Sequence, residues 1–308
     1  MPYSETRKLL GTSIEVTVLS EDTKTPERIG YVFDYFSSIE QEFSRFLPES
    51  SLSLLNTYKK MSVSQRFLEL MDVSKKMHRE TNGLFNPLVS VEKLGYAHSF
   101  EQGDFEPTEG PIDTDFEAIR IAGDTITLQP GQSLDFGGIA KGWAVDNAAL
   151  LLRMFGYDDF FVNAGGDIYA SGNNDEASGG WVIGIENPFT EEIIASLILQ
   201  DAAIATSGSY KRKWDIDRKK YHHLINPLTG GNENAIMSVT LVASSCTDSD
   251  GFTKSIFNAP ASEGLRLIEQ KGMEGLIFTV SGKLLYTKGL REKYRLDFFE
   301  TDGQLSFV

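Results

Sequence analysis

Proton transfer, anion binding and cation binding each find a small set of eligible residues in this sequence. Of its four histidines, His78 lies in a helical stretch and His98 in a loop, and both read as surface groups rather than ligands. His222 and His223 are adjacent on a strand, so their side chains face opposite ways and only one points into any given pocket. Just before the turn Pro227-Leu228-Thr229-Gly230, such a histidine is either a proton acceptor or a ring packed at a strand end. Thr247-Asp248-Ser249-Asp250 contains T-x-x-D ahead of an apolar helix, close to a capping box, and capping is what the pattern favours. The sharper alternative sets Asp250 on a divalent cation beside a pyrophosphate. No Ser/His/Asp spacing and no Cys/His zinc pattern occurs, which leaves serine hydrolase and metalloprotease chemistry without support.

The anion would sit in the stretch from Ser133 to Gly172. Leu134-Asp135-Phe136 leads into the turn Gly137-Gly138. A helix then carries Ala140, Trp143, Ala144, Leu150, Leu151 and Met154 at spacings of three and four, with Gly156 just past its last turn. Phe160 to Val162 reads as a buried strand, followed by Asn163-Ala164-Gly165-Gly166-Asp167 and a second strand through Ile168 and Tyr169. Glycine pairs on both sides of the helix let backbone approach a ligand closely. The N–H groups opening the helix favour an anion, and Lys141 adds a charge in the first turn. Neither usual nucleotide fingerprint fits: Gly142 is followed by Trp143-Ala144 rather than Lys-Ser/Thr, and no G-x-G-x-x-G follows Asp135. From pattern alone, a strand–turn–helix–strand core unit and a phosphate site remain equal readings.

Several elements must position these groups. Ile14, Val16 and Val18 alternate as a strand after Leu10-Gly11-Thr12. Thr25-Pro26 starts a helix with cap and N1 proline, whose Ile29, Phe33, Phe36, Ile39 and Phe43 share one face. After a loop from Phe43 to Ser50, a second amphipathic helix runs from Ser64 through Phe67, Leu70, Met71, Ser74 and Met77. It stops at Thr81-Asn82-Gly83, and Gly83 to Pro87 is loop. Residues 99 to 118 are acidic with Gly and Pro, a surface excursion or else a domain linker. Gly123-Asp124 turns a hairpin between Ile119–Ala122 and Thr125–Leu128. Strands follow at Trp181–Ile185, Ile194–Leu199, Ala202 onward and Ser238–Ala243. Thr247–Asn258 and Gly264–Lys271 read as helices, and Leu276–Tyr286 as a hairpin. With no regular βαβ beat, the class is α+β with largely antiparallel sheet.

A formal net charge of −15 argues against a nucleic-acid binder and against docking on anionic lipid. The lone cysteine, Cys246, excludes an intrachain disulfide and fits a reducing compartment. No apolar run is long enough for membrane insertion, and the N-terminus carries neither a signal core nor a lipid-modifiable cysteine. The expectation is a cytoplasmic protein, with an exported form whose signal has been removed as the alternative.

In order along the chain, these pieces resemble one family. Phe43-Ser44-Arg45-Phe46 with Ser50 and Asn56, Thr81 to Pro87, Leu134 to Gly142, Asn163 to Asp167, Ala205-Thr206-Ser207-Gly208, His223 to Gly230 and Asp250-Gly251-Phe252 are similar to the motifs of the FAD:protein FMN transferases, the ApbE-like flavin transferases. The likeness runs from Leu10-Gly11-Thr12 nearly to the C-terminus. It implies an α+β fold of ApbE-like (T-fold-like) architecture, mostly antiparallel sheets flanked by helices, with FAD in a cleft. One domain would span residues 1–308, in one body or as two lobes around the flavin. Carried over by position, Leu10, Phe46, Leu84, Phe85, Asn86, Asp135, Lys141, Thr206, Ser207 and His223 would line the flavin nucleotide. The Gly138 carbonyl and the Asp250 carboxylate would hold Mg²⁺ at the pyrophosphate.

The implied reaction is attack by a threonine or serine hydroxyl of an acceptor flavoprotein on the FMN-side phosphorus of FAD, with AMP leaving. Such chemistry is mostly positioning and charge neutralisation. His223 is the candidate proton acceptor and Asp250 its catalytic partner. FAD pyrophosphate hydrolysis and a catalytically weak FAD-binding protein are the competing readings. The sequence departs from the family where Thr is usual four residues after the metal-binding Asp: here Lys254 stands there. Asn226 and Asn86 likewise replace family aspartates. Asp250 and Lys254 are i,i+4 neighbours able to pair. Either the Lys254 ammonium occupies the cation position, or it swings outward and Mg²⁺ binds through Asp250, Gly138, phosphates and water.

Overall fold

The computed structural model describes residues 2–89, 113–174, 179–211, 213–216, 219–231, 235–299 and 306–307. His98 and most of the acidic stretch between 99 and 118 lie outside them. Alternation fixes the first layer. Ile14, Val16 and Val18 of β2 (Thr12–Leu19) point to one side and are fully buried. The strand lies second in a nine-stranded sheet ordered β1 (Pro2–Leu9), β2, β6 (Phe160–Ala164), β7 (Asp167–Ser171), β10 (Ala202–Gly208), β13 (Ile236–Ala243), β14 (Glu274–Thr279), β15 (Lys283–Tyr286) and β17 (Ser306–Phe307). Its pairings are antiparallel apart from that of β15 with β17. Smaller sheets are formed by β3 (Lys60–Ser62), β5 (Thr125–Thr127) and β4 (Arg120–Ala122), and by β16 (Asp297–Phe298), β9 (Ile193–Leu199) and β8 (Trp181–Glu186). A hairpin pairs β11 (Lys213–Ile216) with β12 (Lys219–His222).

Helices cover one face of the large sheet: α1 (Thr25–Phe43), α2 (Ser51–Tyr58), α3 (Gln65–Glu80), α4 (Ala140–Met154), α5 (Cys246–Phe257) and α6 (Ala261–Gln270) close over the larger core. The other face packs on β8, β9 and α7 (Lys288–Tyr294) through a second core that includes Trp181, Ile183, Leu197, Ile204 and Phe278. The class is thus α+β and mostly antiparallel, as the mixed pattern predicts.

The periodic helices sit where their spacing puts them. In α1, Ile29, Phe33, Phe36, Ile39 and Phe43 are buried, and in α3 Phe67, Leu70, Met71, Ser74 and Met77 are. The start of α1 differs by one residue. Lys24 is the cap position and Thr25 lies inside the helix, because its hydroxyl is taken by Tyr157 at 3.0 Å. The face assigned to α4 needs a larger correction: Leu150 and Met154 are 59% and 81% exposed, while the buried set is Gly142, Trp143, Ala144, Val145, Ala148, Ala149 and Leu152.

Register gathers the turns at one end of the large sheet. Ile14 pairs with Ala164, so the Leu10-Gly11 turn lies beside Gly165-Gly166. A Cβ on Gly165 would stand 2.2 Å from Thr12 Oγ1, so only glycine allows the two turns to meet. Ile204 pairs with Ile168, which carries Thr206, Ser207 and Gly208 to the same end.

Candidate active site

At that end α4 crosses α5, and Asp250 sits at the crossing with no exposed side-chain surface. A buried carboxylate must be compensated, and its partners come from different elements. The Gly142 N–H of α4 donates to Oδ2 at 3.1 Å, and the Lys254 ammonium, one turn along α5, pairs with Oδ1. The helices meet this closely because residue 142 is glycine: a Cβ there would lie 2.4 Å from the Cys246 carbonyl oxygen and 2.7 Å from Asp250 Cβ. The Lys254 stem runs along Gly138, with Cγ 3.8 Å and Cε 3.9 Å from where a Gly138 Cβ would stand. Gly138, Asp250 and Lys254 therefore converge.

The T-x-x-D capping reading is overturned. Ser245 caps α5, accepting from the Asp248 N–H at 3.1 Å. Thr247 and Cys246 are held instead by Asp146 of α4, whose carboxylate accepts their N–H groups at 2.8 and 2.7 Å and also takes the Thr247 hydroxyl. Burial raises the Asp146 pKa above its ordinary value, against these bonds, which lower it. Burial likewise pushes the Cys246 thiol well up, so this cysteine is no nucleophile.

On the other side of the α4 start, Lys141 pairs with Asp167, the first residue of β7. α4 opens with no side-chain cap, leaving its N-terminal dipole uncompensated by any side-chain cap bond. Ser207 faces α5, its hydroxyl 2.7 Å from that of Thr253, whereas Thr206 projects from the opposite face and meets Thr240 at 2.9 Å. The strand period separates these neighbours, and Ser207 is the one on the Asp250 side. Leu10 takes a left-handed φ of 55° in the β1–β2 turn, where its N–H donates to Glu40 at 2.7 Å.

A frame of side-chain-to-backbone bonds holds the loops around Gly137-Gly138. Asn56 donates to the Leu134 carbonyl and accepts its N–H, both at 2.8 Å. Asp135 accepts the Gly137 N–H at 2.8 Å and lies 3.4 Å from Arg45, whose guanidinium stacks 4.3 Å over Phe46. The Asp135 N–H donates to the Pro87 carbonyl at 2.7 Å. Phe85 is buried against Gly138, 3.3 Å from its missing Cβ. Thr81 accepts the Phe85 N–H at 3.0 Å, and His78 Nδ1 meets the Phe85 carbonyl at 2.8 Å. His78 is therefore no surface group: it fixes the loop that carries Phe85 and the half-buried Leu84. Both Asn-for-Asp changes keep the same turn. Asn86 accepts from Leu88 and Asn226 from Leu228, each at 2.9 Å and each two residues on. The amide of Asn86 adds a bond that an aspartate lacks, donating to Thr114 O at 2.8 Å.

Of the adjacent histidines, His222 packs its ring edge-on at 5.7 Å from Phe257 of α5. His223 is half-buried and lies just past the end of β12, so the two histidines do not share the strand that the sequence pattern predicts. Its segment is tied to α5 through Asn258, whose amide bonds both the Ile225 carbonyl (3.1 Å) and that of Lys254 (3.0 Å). Asp146 and Asn258 belong to no motif, and the role of each depends on contacts between α4, α5 and the His223 segment that local spacing does not carry. A cavity of about 330 Å³ lies away from these turns, between Lys76, Glu80, Asp248 and Lys271.

A divalent cation fits this donor set poorly. The Asp250 carboxylate already holds an ammonium on Oδ1 and an amide on Oδ2, and the lysine stem lies along Gly138 itself. Among the described residues no group of three or more His, Cys, Asp or Glu side chains is arranged to hold a metal.

The fold as a whole has counterparts among known proteins. The profile of the ApbE family matches residues 10–277, and the chain belongs to that family. A FAD:protein FMN transferase of Klebsiella pneumoniae (strain 342) is 26% identical over 295 residues, covering 91% of this chain and 90% of that one. One from Vibrio cholerae serotype O1 is 29% identical over 247 residues, or 75% and 73% of the two chains. Among solved structures, the ApbE protein of Thermotoga maritima superposes with a TM-score of 0.86 at 25% identity, over 95% of this chain and 99% of that one. The flavin transferase ApbE of Vibrio cholerae shares the fold at a TM-score of 0.80 and 23% identity, with 95% and 99% covered.

Proposed function

We propose that this chain transfers the FMN part of FAD to a threonine or serine hydroxyl of an acceptor flavoprotein, releasing AMP. The observation that carries the reading is the convergence of Gly138, Asp250 and Lys254 at the α4–α5 crossing, where the family motifs gather. The acceptor oxygen bonds to the FMN-side phosphorus as the bond from that phosphorus to the bridging oxygen breaks. AMP departs with that oxygen, and the hydroxyl proton passes to His223. Lys141 and Lys254 supply positive charge near the α4 start. Leu10, Phe46, Leu84, Asp135, Ser207 and His223 line the nucleotide. Phe85 and Asn86 act by shaping the loop, and Thr206 by holding β10 on β13. Cys246, buried and alone, supports a cytoplasmic setting; no helix among the described residues is long and apolar enough to cross a membrane.

Incubation with FAD and a threonine-bearing acceptor, read by flavin fluorescence on a denaturing gel and by AMP release, tests this. Covalently fluorescent acceptor with AMP is the expected result. Exchange of His223 for Asn slows transfer by about 10²–10⁴-fold with FAD still bound. AMP with free FMN points to hydrolysis, and FAD bound without either product points to a binding protein; both outcomes overturn the proposal.

A further inference from the structure

Asp250 and Lys254 are joined within one turn of α5, so their pairing needs no tertiary rearrangement and is present before any ligand arrives. The aspartate side is sealed. Its carboxylate has no exposed surface, and the Gly142 amide holds its second oxygen. The lysine side is open, with 17% of the side chain exposed. For a divalent ion to reach Oδ1, the ammonium would have to leave a buried carboxylate, and its stem would have to leave Gly138. Were it to stay, the added ion would face a positive charge at contact distance. Either route opposes metal entry. An ammonium is itself a compact cation with donors for phosphate oxygens.

We infer that the Lys254 ammonium, seated on Asp250 beside Gly138, stands against the diphosphate of FAD in place of a divalent cation, so that this chain binds and uses FAD without metal. The inference rests on the proposed reading that FAD is the substrate. The Asp250 carboxylate, which would otherwise anchor the metal, here orients the lysine. Threonine at residue 254 could not do this, since a hydroxyl carries no charge to neutralise the carboxylate.

The test is FAD affinity by quenching of flavin fluorescence, measured in EDTA and in MgCl₂, together with Mn²⁺ binding followed by electron paramagnetic resonance with FAD present. Wild-type protein is expected to bind FAD with affinities within about twofold in the two buffers, well under the tenfold that one charge contact confers, and to show no protein-bound Mn²⁺. Lys254→Thr is expected to lose about 10- to 100-fold in EDTA, to regain affinity in MgCl₂ and to bind Mn²⁺, with thermal unfolding checking that it folds. FAD released from wild-type protein by EDTA and rebound on adding MgCl₂ overturns the inference, as does bound Mn²⁺ in wild type or an absence of FAD binding in either buffer; these arms need no variant to fold. Metal-indifferent FAD binding with neither AMP nor covalent flavin upholds the ammonium and sinks the transfer reaction, so the failures are told apart.

Discussion

Two lysine–aspartate pairs flank the start of α4, alike in chemistry and different in construction. Each joins a buried carboxylate, 0% exposed at Asp250 and 3% at Asp167, to a partly open lysine at 17% and 20%. Lys254–Asp250 is closed within one helix. Lys141–Asp167 is closed only when α4 docks on β7. Asp250 also takes the Gly142 amide, so its carboxylate is part of the joint between α4 and α5. A charge set by one helix turn is fixed by local geometry; a charge set across elements reports whether those elements have docked. The site thus holds one cation in place by secondary structure and the other by tertiary packing.

Truncation should separate them most sharply. Asp250→Ala leaves an ammonium and a buried amide without their acceptor and should cost about 3–5 kcal/mol. Asp167→Ala removes the acceptor of a single ammonium and should cost about 1–3 kcal/mol. Urea denaturation with unchanged m-values measures both. Equal losses would mean that the bond from Gly142 to Asp250 adds nothing and that the contrast is one of sequence distance alone.

Gly142→Ala probes the joint without touching a charge. The new Cβ meets the Cys246 carbonyl at 2.4 Å, so α4 and α5 must part. Overpacking of this kind costs about 1–3 kcal/mol, against a helix-propensity gain of roughly 1 kcal/mol. The expected net is a modest loss of stability with a larger loss of FAD affinity, because the shift moves Asp250 and Lys254 relative to Gly138 while Lys141–Asp167 stays in place. Unchanged FAD affinity in a folded variant would place the ligand away from the crossing.

How much of this could be read from residues alone depended on the range of the interaction. The faces of α1 and α3 follow from period, because large side chains at helical spacing meet one core. α2 escaped notice: with only Leu52 and Leu55 buried, its eight residues hold too little pattern. In α4 the large residues misled. A helix crossing tight enough for Asp250 to reach Gly142 selects small side chains, so Gly142, Ala144, Ala148 and Ala149 go inward while Leu150 and Met154 face out. T-x-x-D does not cap α5 because Thr247 is claimed by Asp146, a contact across 101 residues that no local motif encodes. In the site, the i,i+4 pairing of Asp250 with Lys254 was legible as a possibility of spacing. That Lys254 lies along Gly138 was not, since it depends on how α4 and α5 cross.

Asp146 gives the finest test of that crossing. Its pKa is raised in the folded protein, first by burial, so between the ordinary carboxylate range and the raised value the folded state binds more protons than the unfolded chain. Stability contributed by this group is therefore greatest at acidic pH and falls as pH rises through that window. Asp146→Asn keeps an acceptor for one N–H of Cys246 or Thr247 and removes the titration. The stability of wild type relative to the variant should decline with rising pH across the window and then level off, the smallest effect among these variants. Amide exchange should place the change in the first turn of α5 and leave Lys141–Asp167 unmoved. A pH-independent difference would mean that the Asp146 carboxylate titrates alike folded and unfolded.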